Sequence, residues 1–121
     1  MVSGGVEAIV GARDDALYGP MLLVGSGGVL VELLDDVSLD MLPVDGAAIA
    51  ARVEKLKLAK LLSGYRGRPA ADAKALVTAA AGLGRFFLDH RAKISDIEIN
   101  PLVAREAGRG VVALDIRVIW R

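Results

Sequence analysis

A short stretch near the C-terminus holds the side chains whose types and spacing could do chemistry. It reads Ser95-Asp96-Ile97-Glu98-Ile99-Asn100-Pro101-Leu102-Val103, and Gly110-Val111-Val112-Ala113-Leu114-Asp115-Ile116 follows shortly after. Ile97 and Ile99 alternate with Asp96, Glu98 and Asn100, so a strand here sets three oxygen-bearing side chains on one face. The second run alternates too, with Val111, Ala113, Asp115 and Arg117 expected on one face. Residues 105–110 are polar, small or glycine and suit a hairpin loop. Pairing Ala104 with Val111 sets Asn100 opposite Asp115 and Glu98 opposite Arg117. Directly opposed side chains have Cβ atoms about 4.5–5.5 Å apart. An Asn carbonyl and an Asp carboxylate at that separation can hold one hard cation. Magnesium takes few protein oxygens and leaves its other positions to water and phosphate, so the hairpin reads as half of a Mg-nucleotide site. The alternative is the solvated face of an antiparallel strand. Asn-Pro normally starts a turn, and Pro101 removes a ladder donor, which implies a bulge or an edge. A register slip of one residue there would turn Asp115 to the other face.

Three other features carry chemical possibilities. Gly25-Ser26-Gly27-Gly28 could bring backbone N–H groups close to phosphate. It is not a Walker loop, since no Lys follows and a strand comes next; a glycine-rich turn between strands is the other reading. Tyr65-Arg66-Gly67-Arg68-Pro69 sets two arginines on a rigid turn that could clamp phosphate or carboxylate, or that simply carries solvated charge. His90, the one histidine, sits at an expected helix C-terminus, where positive charge suits the helix dipole. With no second His and no Cys, neither a zinc centre nor a Ser-His-Asp triad assembles.

The elements that must position these residues follow a clear order. Val6 to Val10 reads as a strand ending at Gly11, followed by a polar stretch over 12–19 that ends in Tyr18-Gly19-Pro20. Met21 to Val24 is a short buried strand, Val29 to Leu34 a third strand containing Glu32, and Ser38 to Val44 a weaker fourth. A helix is expected from an Asp45 N-cap through Ile49, Val53, Leu56 and Lys60 to a stop at Gly64. A second helix runs from Asp72 through Leu76, Ala80, Leu83 and Phe87 to near His90 and Arg91. The order β-β-β-β-α-α-β-β predicts an α+β fold, a mostly antiparallel sheet with two helices on one face. No repeat or linker divides the chain, so residues 1–121 are expected to form a single domain.

Composition sets the outer limits. The chain has 121 residues, 54% of them hydrophobic, and its 15 Lys and Arg balance 15 Asp and Glu. That balance gives no electrostatic case for nucleic acid or an anionic membrane surface. The absence of cysteine removes disulfides and thiolate metal sites and suggests a cytoplasmic setting. The N-terminus has no signal-peptide pattern, and no apolar run approaches the ~20 residues a membrane span needs.

One ordered set of motifs resembles a known family. Gly4-Gly5-Val6-Glu7-Ala8-Ile9-Val10-Gly11, Tyr18-Gly19-Pro20, Gly25-Ser26-Gly27-Gly28-Val29-Leu30-Val31-Glu32, Gly64-Tyr65-Arg66-Gly67-Arg68-Pro69, Asp96-Ile97-Glu98-Ile99-Asn100-Pro101-Leu102 and Val112-Ala113-Leu114-Asp115 occur in that order. Together they are similar to the C-terminal part of the ATP-grasp domain of NDP-forming acyl-CoA synthetases. The resemblance takes in the β subunit of ADP-forming acetyl-CoA synthetase and, more distantly, that of succinyl-CoA synthetase, and it covers nearly the whole chain. It implies an acid–thiol ligase that uses Mg²⁺ and ATP/ADP and passes the phosphoryl group through a histidine on another domain or subunit. On that basis Asn100 and Asp115 hold Mg²⁺, and Glu98 contacts the phosphorylated histidine as the catalytic residue. Gly25, Gly27, Gly28, Arg66 and Arg68 are the residues expected to bind the nucleotide cofactor.

The resemblance also implies what lies elsewhere. The phosphate-binding lysine, the glycine-rich flap and the adenine hinge belong to the preceding half of such a domain, so the chain is expected to be a fragment or one part of a split enzyme, inactive alone. Its expected partners are the N-terminal ATP-grasp half and a CoA-binding, phosphohistidine-bearing subunit or domain; apolar surface left by the missing half could also drive homo-oligomers. Relatives usually carry a basic residue where this chain has Asp14, Arg where it has Asp40, and Pro where it has Ala16. Acids facing a polyphosphate would weaken its binding, so a second reading is a non-catalytic docking or oligomerisation module on the same fold.

Overall fold

The computed structural model describes residues 5–27, 36–64 and 67–121. Strand β1 (Val6–Asp15) and strand β2 (Gly19–Ser26) form a long hairpin. The Asp15 carboxylate accepts the amides of Leu17 (2.8 Å) and Tyr18 (3.0 Å), closing the turn. That side-chain closure lets polar Arg13, Asp14 and Asp15 stay on the strand, which runs four residues past the expected end at Gly11. Strand β3 (Val37–Met41) pairs with β2. The strand expected over Val29–Leu34 lies outside the described residues.

The single helix expected from Asp45 to Gly64 is two helices, α1 (Gly46–Val53) and α2 (Lys57–Leu62). Asp45 caps α1 as expected, accepting the Ala48 amide at 2.8 Å. The break follows from the second cap. Leu56 is extended, and the buried Asp36 carboxylate accepts the amides of Lys57 and Leu58, both at 2.8 Å. These are first-turn donors with no partner inside the helix. Asp36 also accepts the Ser26 hydroxyl at 2.7 Å. One carboxylate thus ties the end of β2, the start of β3 and the start of α2 together.

Helix α3 (Ala73–Asp89) begins at Asp72, whose side chain accepts the Ala75 amide at 3.1 Å, and buries Leu76, Ala80, Gly84 and Phe87 along one stripe. The same carboxylate accepts the amides of Gly108 (3.1 Å) and Gly110 (2.8 Å). Those hydrogen bonds hold the Asp72 carboxyl below its ordinary value and lock the loop after β4 onto the start of α3. Strand β4 (Ile94–Ala104) is followed by β5 (Val111–Ala113) and β6 (Ile116–Trp120).

The sheet is antiparallel throughout, in the order β3-β2-β1-β4-β5, with β6 beside the first half of β4. The helices lie on one face, where Ala8, Val10, Leu22, Val24, Ile49, Leu58, Leu76 and Phe87 form the core. Full burial of each large side chain among them contributes about 1.5–3 kcal/mol. The result is the expected α+β class, with three described helices on one face of the sheet instead of two. The opposite face carries no helix among the described residues. No described helix is long and apolar enough to cross a membrane.

Candidate functional site

Strand β4 changes face partway along. Ile97 and Ile99 belong to the core, and so do Leu102 and Ala104. Strict alternation cannot place all four on one side. The extra residue lies at Asn100-Pro101: Ala8 of β1 pairs with Leu102 and Val10 pairs with Ile99, so β4 takes three steps where β1 takes two. This is a β-bulge, the device proline without its N–H favours within a sheet.

On the other side of β4 the register runs without a shift from Ile97–Val118 to Ala104–Val111. Asn100 therefore lies opposite Asp115, and its amide donates to the Asp115 carbonyl at 3.0 Å. Leu114 donates to the Pro101 carbonyl at 3.1 Å. Glu98 pairs directly with Arg117. One part of the sequence reading needs correction. Val111 and Ala113 do not share a face with Arg117, because they oppose the core residues Ala104 and Leu102, whereas Arg117 opposes Glu98. The bulge switches the pleat between them, so Asn100 and Asp115 sit at the switch itself.

The helix-free face around this point is charged. Arg13 opposes Asp96 and Gly11 opposes Glu98 across β1–β4. A shallow depression of about 150 Å³ is lined by Gly11, Arg13, Met21, Leu23, Asp96, Glu98 and Arg117, among others. Within it an ion pair joins Arg117 Nη2 to Glu98 Oε2 at 3.7 Å. Asp115 is exposed, and Asn100 is partly buried. Among the described residues no group of three or more His, Cys, Asp or Glu side chains could hold a metal. The donors at hand are one amide oxygen and one carboxylate, a hard pair that suits Mg²⁺ completed by water and phosphate.

The other expected site residues are placed as follows. Gly25 pairs with Ile9, and Ile9 lies at the bulge, so a transverse row of the sheet runs from Gly25 through Ile9 to Asn100 and Asp115. With strands about 4.8 Å apart, Gly25 is roughly 10 Å from Asn100. A Cβ on Gly25 would lie 2.3 Å from the Asp36 carbonyl oxygen, and one on Gly27 would lie 2.5 Å from the Ala8 backbone. The Gly27 amide donates to the Glu7 carbonyl at 3.0 Å. Close backbone packing thus explains glycine at both positions without a ligand. Gly28 and Arg66 lie outside the described residues. Arg68 is exposed on the link between α2 and α3 and does not line the depression.

Asp14 and Asp40 do not face this surface. Asp40 opposes the core residue Leu22 and pairs with Arg52 of α1 at 3.3 Å. Asp14 lies on the helix side, bonded to Arg91 at 2.6 Å and to Arg121. The sequence reading missed Arg13 as a residue of the charged face, because it ended β1 at Gly11. The continued alternation of Val10 and Ala12 with Gly11 and Arg13 was the available signal.

Comparison with known proteins places this geometry in context. A family model described as an ATP-grasp domain matches residues 1–119. Trans-feruloyl-CoA synthase FCS1 from an unknown prokaryotic organism is 43% identical over 92% of this chain and 16% of its own length. The ADP-forming acetate–CoA ligase I of Archaeoglobus fulgidus is 36% identical over 98% of this chain and 17% of its own length. A solved dinucleotide-forming acetyl-coenzyme A synthetase 1 of Ca. Korarchaeum cryptofilum, in complex with coenzyme A and Mg-AMPPCP, has its phosphohistidine segment pointing towards the nucleotide binding site. It superposes with a TM-score of 0.89 at 34% identity, covering 97% of this chain and 54% of that one. The chain spans about a sixth of the length of the two curated relatives and about half of the solved chain.

Proposed function

Because this chain belongs to the ATP-grasp domain family, we propose that it is the Mg²⁺- and phosphate-facing half of the nucleotide site of an NDP-forming acyl-CoA synthetase. The observation that carries this reading is the unbroken register setting Asn100 opposite Asp115 at the switch of face, next to Glu98 opposite Arg117 on the sheet face that carries no described helix. Asn100 and Asp115 would hold a bound Mg²⁺, which would supply charge neutralisation for the phosphoryl transfer. The chain's own part is placement. Asn100 and Asp115 orient the metal-bound polyphosphate against the sheet. Glu98 meets the histidine of the partner and fixes its orientation and tautomer through a hydrogen bond.

The unprotonated imidazole nitrogen forms the P–N bond as the bond to the β-phosphate oxygen breaks. ADP leaves with that electron pair. The second ring nitrogen keeps its proton and donates to Glu98. The phosphoryl group then serves acid activation and CoA transfer in the partner, and a cytoplasmic setting goes with this role. Leu39, Met41 and Ile119 are exposed on the helix-free side, and the other half of the ATP-grasp domain covers them in this reading.

The docking-module alternative drew on Asp14 and Asp40. Both are paired on the helix side, so they remove nothing from the phosphate-facing surface. The test joins this chain to the preceding half of an ATP-grasp domain and titrates Mg-ATP by calorimetry. Binding is expected, and Asp115→Ala should abolish it. Binding that never appears, or that survives the substitution, overturns the proposal.

A further inference from the structure

Glu98 has neighbours of opposite kinds on its two sides. Across β1 it faces Gly11, and across β6 it faces Arg117. Gly11 supplies no side chain; a Cβ there would stand 3.8 Å from the Glu98 Cβ and 3.3 Å from the Ile97 carbonyl oxygen. Arg117 supplies a guanidinium 3.7 Å from the carboxylate. Their side chains are 63% and 33% exposed, so the pair does little for stability. Stability therefore does not account for its placement beside the depression lined by Arg13, Asp96 and Glu98.

We infer that Arg117 is a positioning residue, holding one flank of the Glu98 carboxylate while Gly11 keeps the opposite flank open for the partner imidazole. The inference rests on the functional reading above. Glu98 then has one oxygen directed by the guanidinium and the other free to accept the imidazole N–H. A fixed acceptor loses less orientational freedom when the ring arrives, and transfer depends on such alignment.

The test uses the assembled enzyme, with both ATP-grasp halves and the histidine-bearing partner present. Rapid-quench measurement of phosphohistidine formation is compared with the Kd for Mg-ATP. Arg117→Met should slow formation by about tenfold, while the Kd moves less than about twofold. Arg117→Lys should recover part of the rate. Gly11→Ala should slow formation with the Kd unchanged. An unchanged rate in Arg117→Met, or a Kd that weakens in step with the rate, overturns the inference and leaves the functional reading standing. Failure of the unsubstituted enzyme to form phosphohistidine overturns that reading and this inference with it.

Discussion

The two faces of the sheet treat their acidic residues differently. On the helix side three are satisfied within the fold: Asp36 by a hydroxyl and two helix amides, Asp40 by Arg52, Asp14 by Arg91 and Arg121. On the helix-free side Glu98 has one long pair with Arg117, and no ion pair among the described residues reaches Asp96 there or Asp115 at the switch of face. The three helix-side carboxylates are bonded inside the fold, and Asp36 and Asp40 are buried. One that meets a ligand keeps lone pairs facing outward. The same residue type thus divides by face, and the division can be broken experimentally.

The largest expected effect lies on the helix side. Asp36→Ala leaves the Ser26 hydroxyl and the Lys57 and Leu58 amides without their acceptor. Losing three such bonds, two of them buried, should cost about 3 kcal/mol in urea unfolding. A cost under about 1 kcal/mol would mean that water replaces Asp36 freely and that the carboxylate does not organise the joint.

Gly27→Ala comes next. The added Cβ meets the Ala8 backbone at 2.5 Å, and backbone yields less easily than a side chain, so a loss of about 2 kcal/mol is expected. This substitution separates the packing reading of the glycines from phosphate binding. A stable variant with impaired nucleotide binding would assign Gly27 to the ligand and erase its place on the structural side of the comparison.

A smaller effect appears only in its pH dependence. The Asp72 carboxyl is held below its ordinary value by the Gly110 and Ala75 amides first, then by Gly108 and Lys74, against some desolvation. A depressed folded value stabilises the fold above the unfolded value and loses that contribution as pH falls through the folded one. The stability gap between the wild type and Asp72→Asn should therefore be widest near neutrality and close in acid, below about pH 4. A gap that grows in acid would reverse the assignment.

Much of this division was legible in the sequence, but unevenly. Asp45 and Asp72 were readable as caps because each immediately precedes an apolar helical stripe. The Asn100–Asp115 and Glu98–Arg117 pairings were readable because a short polar loop fixes the hairpin register. The switch of face at the bulge was only half legible: Pro101 signalled an irregularity, yet nothing local says that Val111 and Ala113 turn towards the helices. That depends on β1, which takes two steps past the three of β4. Asp36 was illegible as a cap, because its helix begins 21 residues later and the joint exists only once the sheet has formed. The same non-local closure hid the partners of Asp14, one of which is the last residue of the chain.

The smallest stability effect is expected where the functional effect is largest. Asp115 is exposed, and the Glu98–Arg117 pair is long and half-solvated. Exposed pairs of this kind contribute about 0–1 kcal/mol. Asp115→Ala and Glu98→Gln should each unfold within about 0.5 kcal/mol of the wild type. The β4–β5–β6 ladder is held by backbone bonds that neither substitution touches. Loss of nucleotide binding in Asp115→Ala at unchanged stability would then be a ligand effect and not partial unfolding. A loss of 2 kcal/mol or more would place these carboxylates in the structural class with Asp36. The contrast between the two faces would fail at that point, because it requires that the helix-free acids do nothing for the fold.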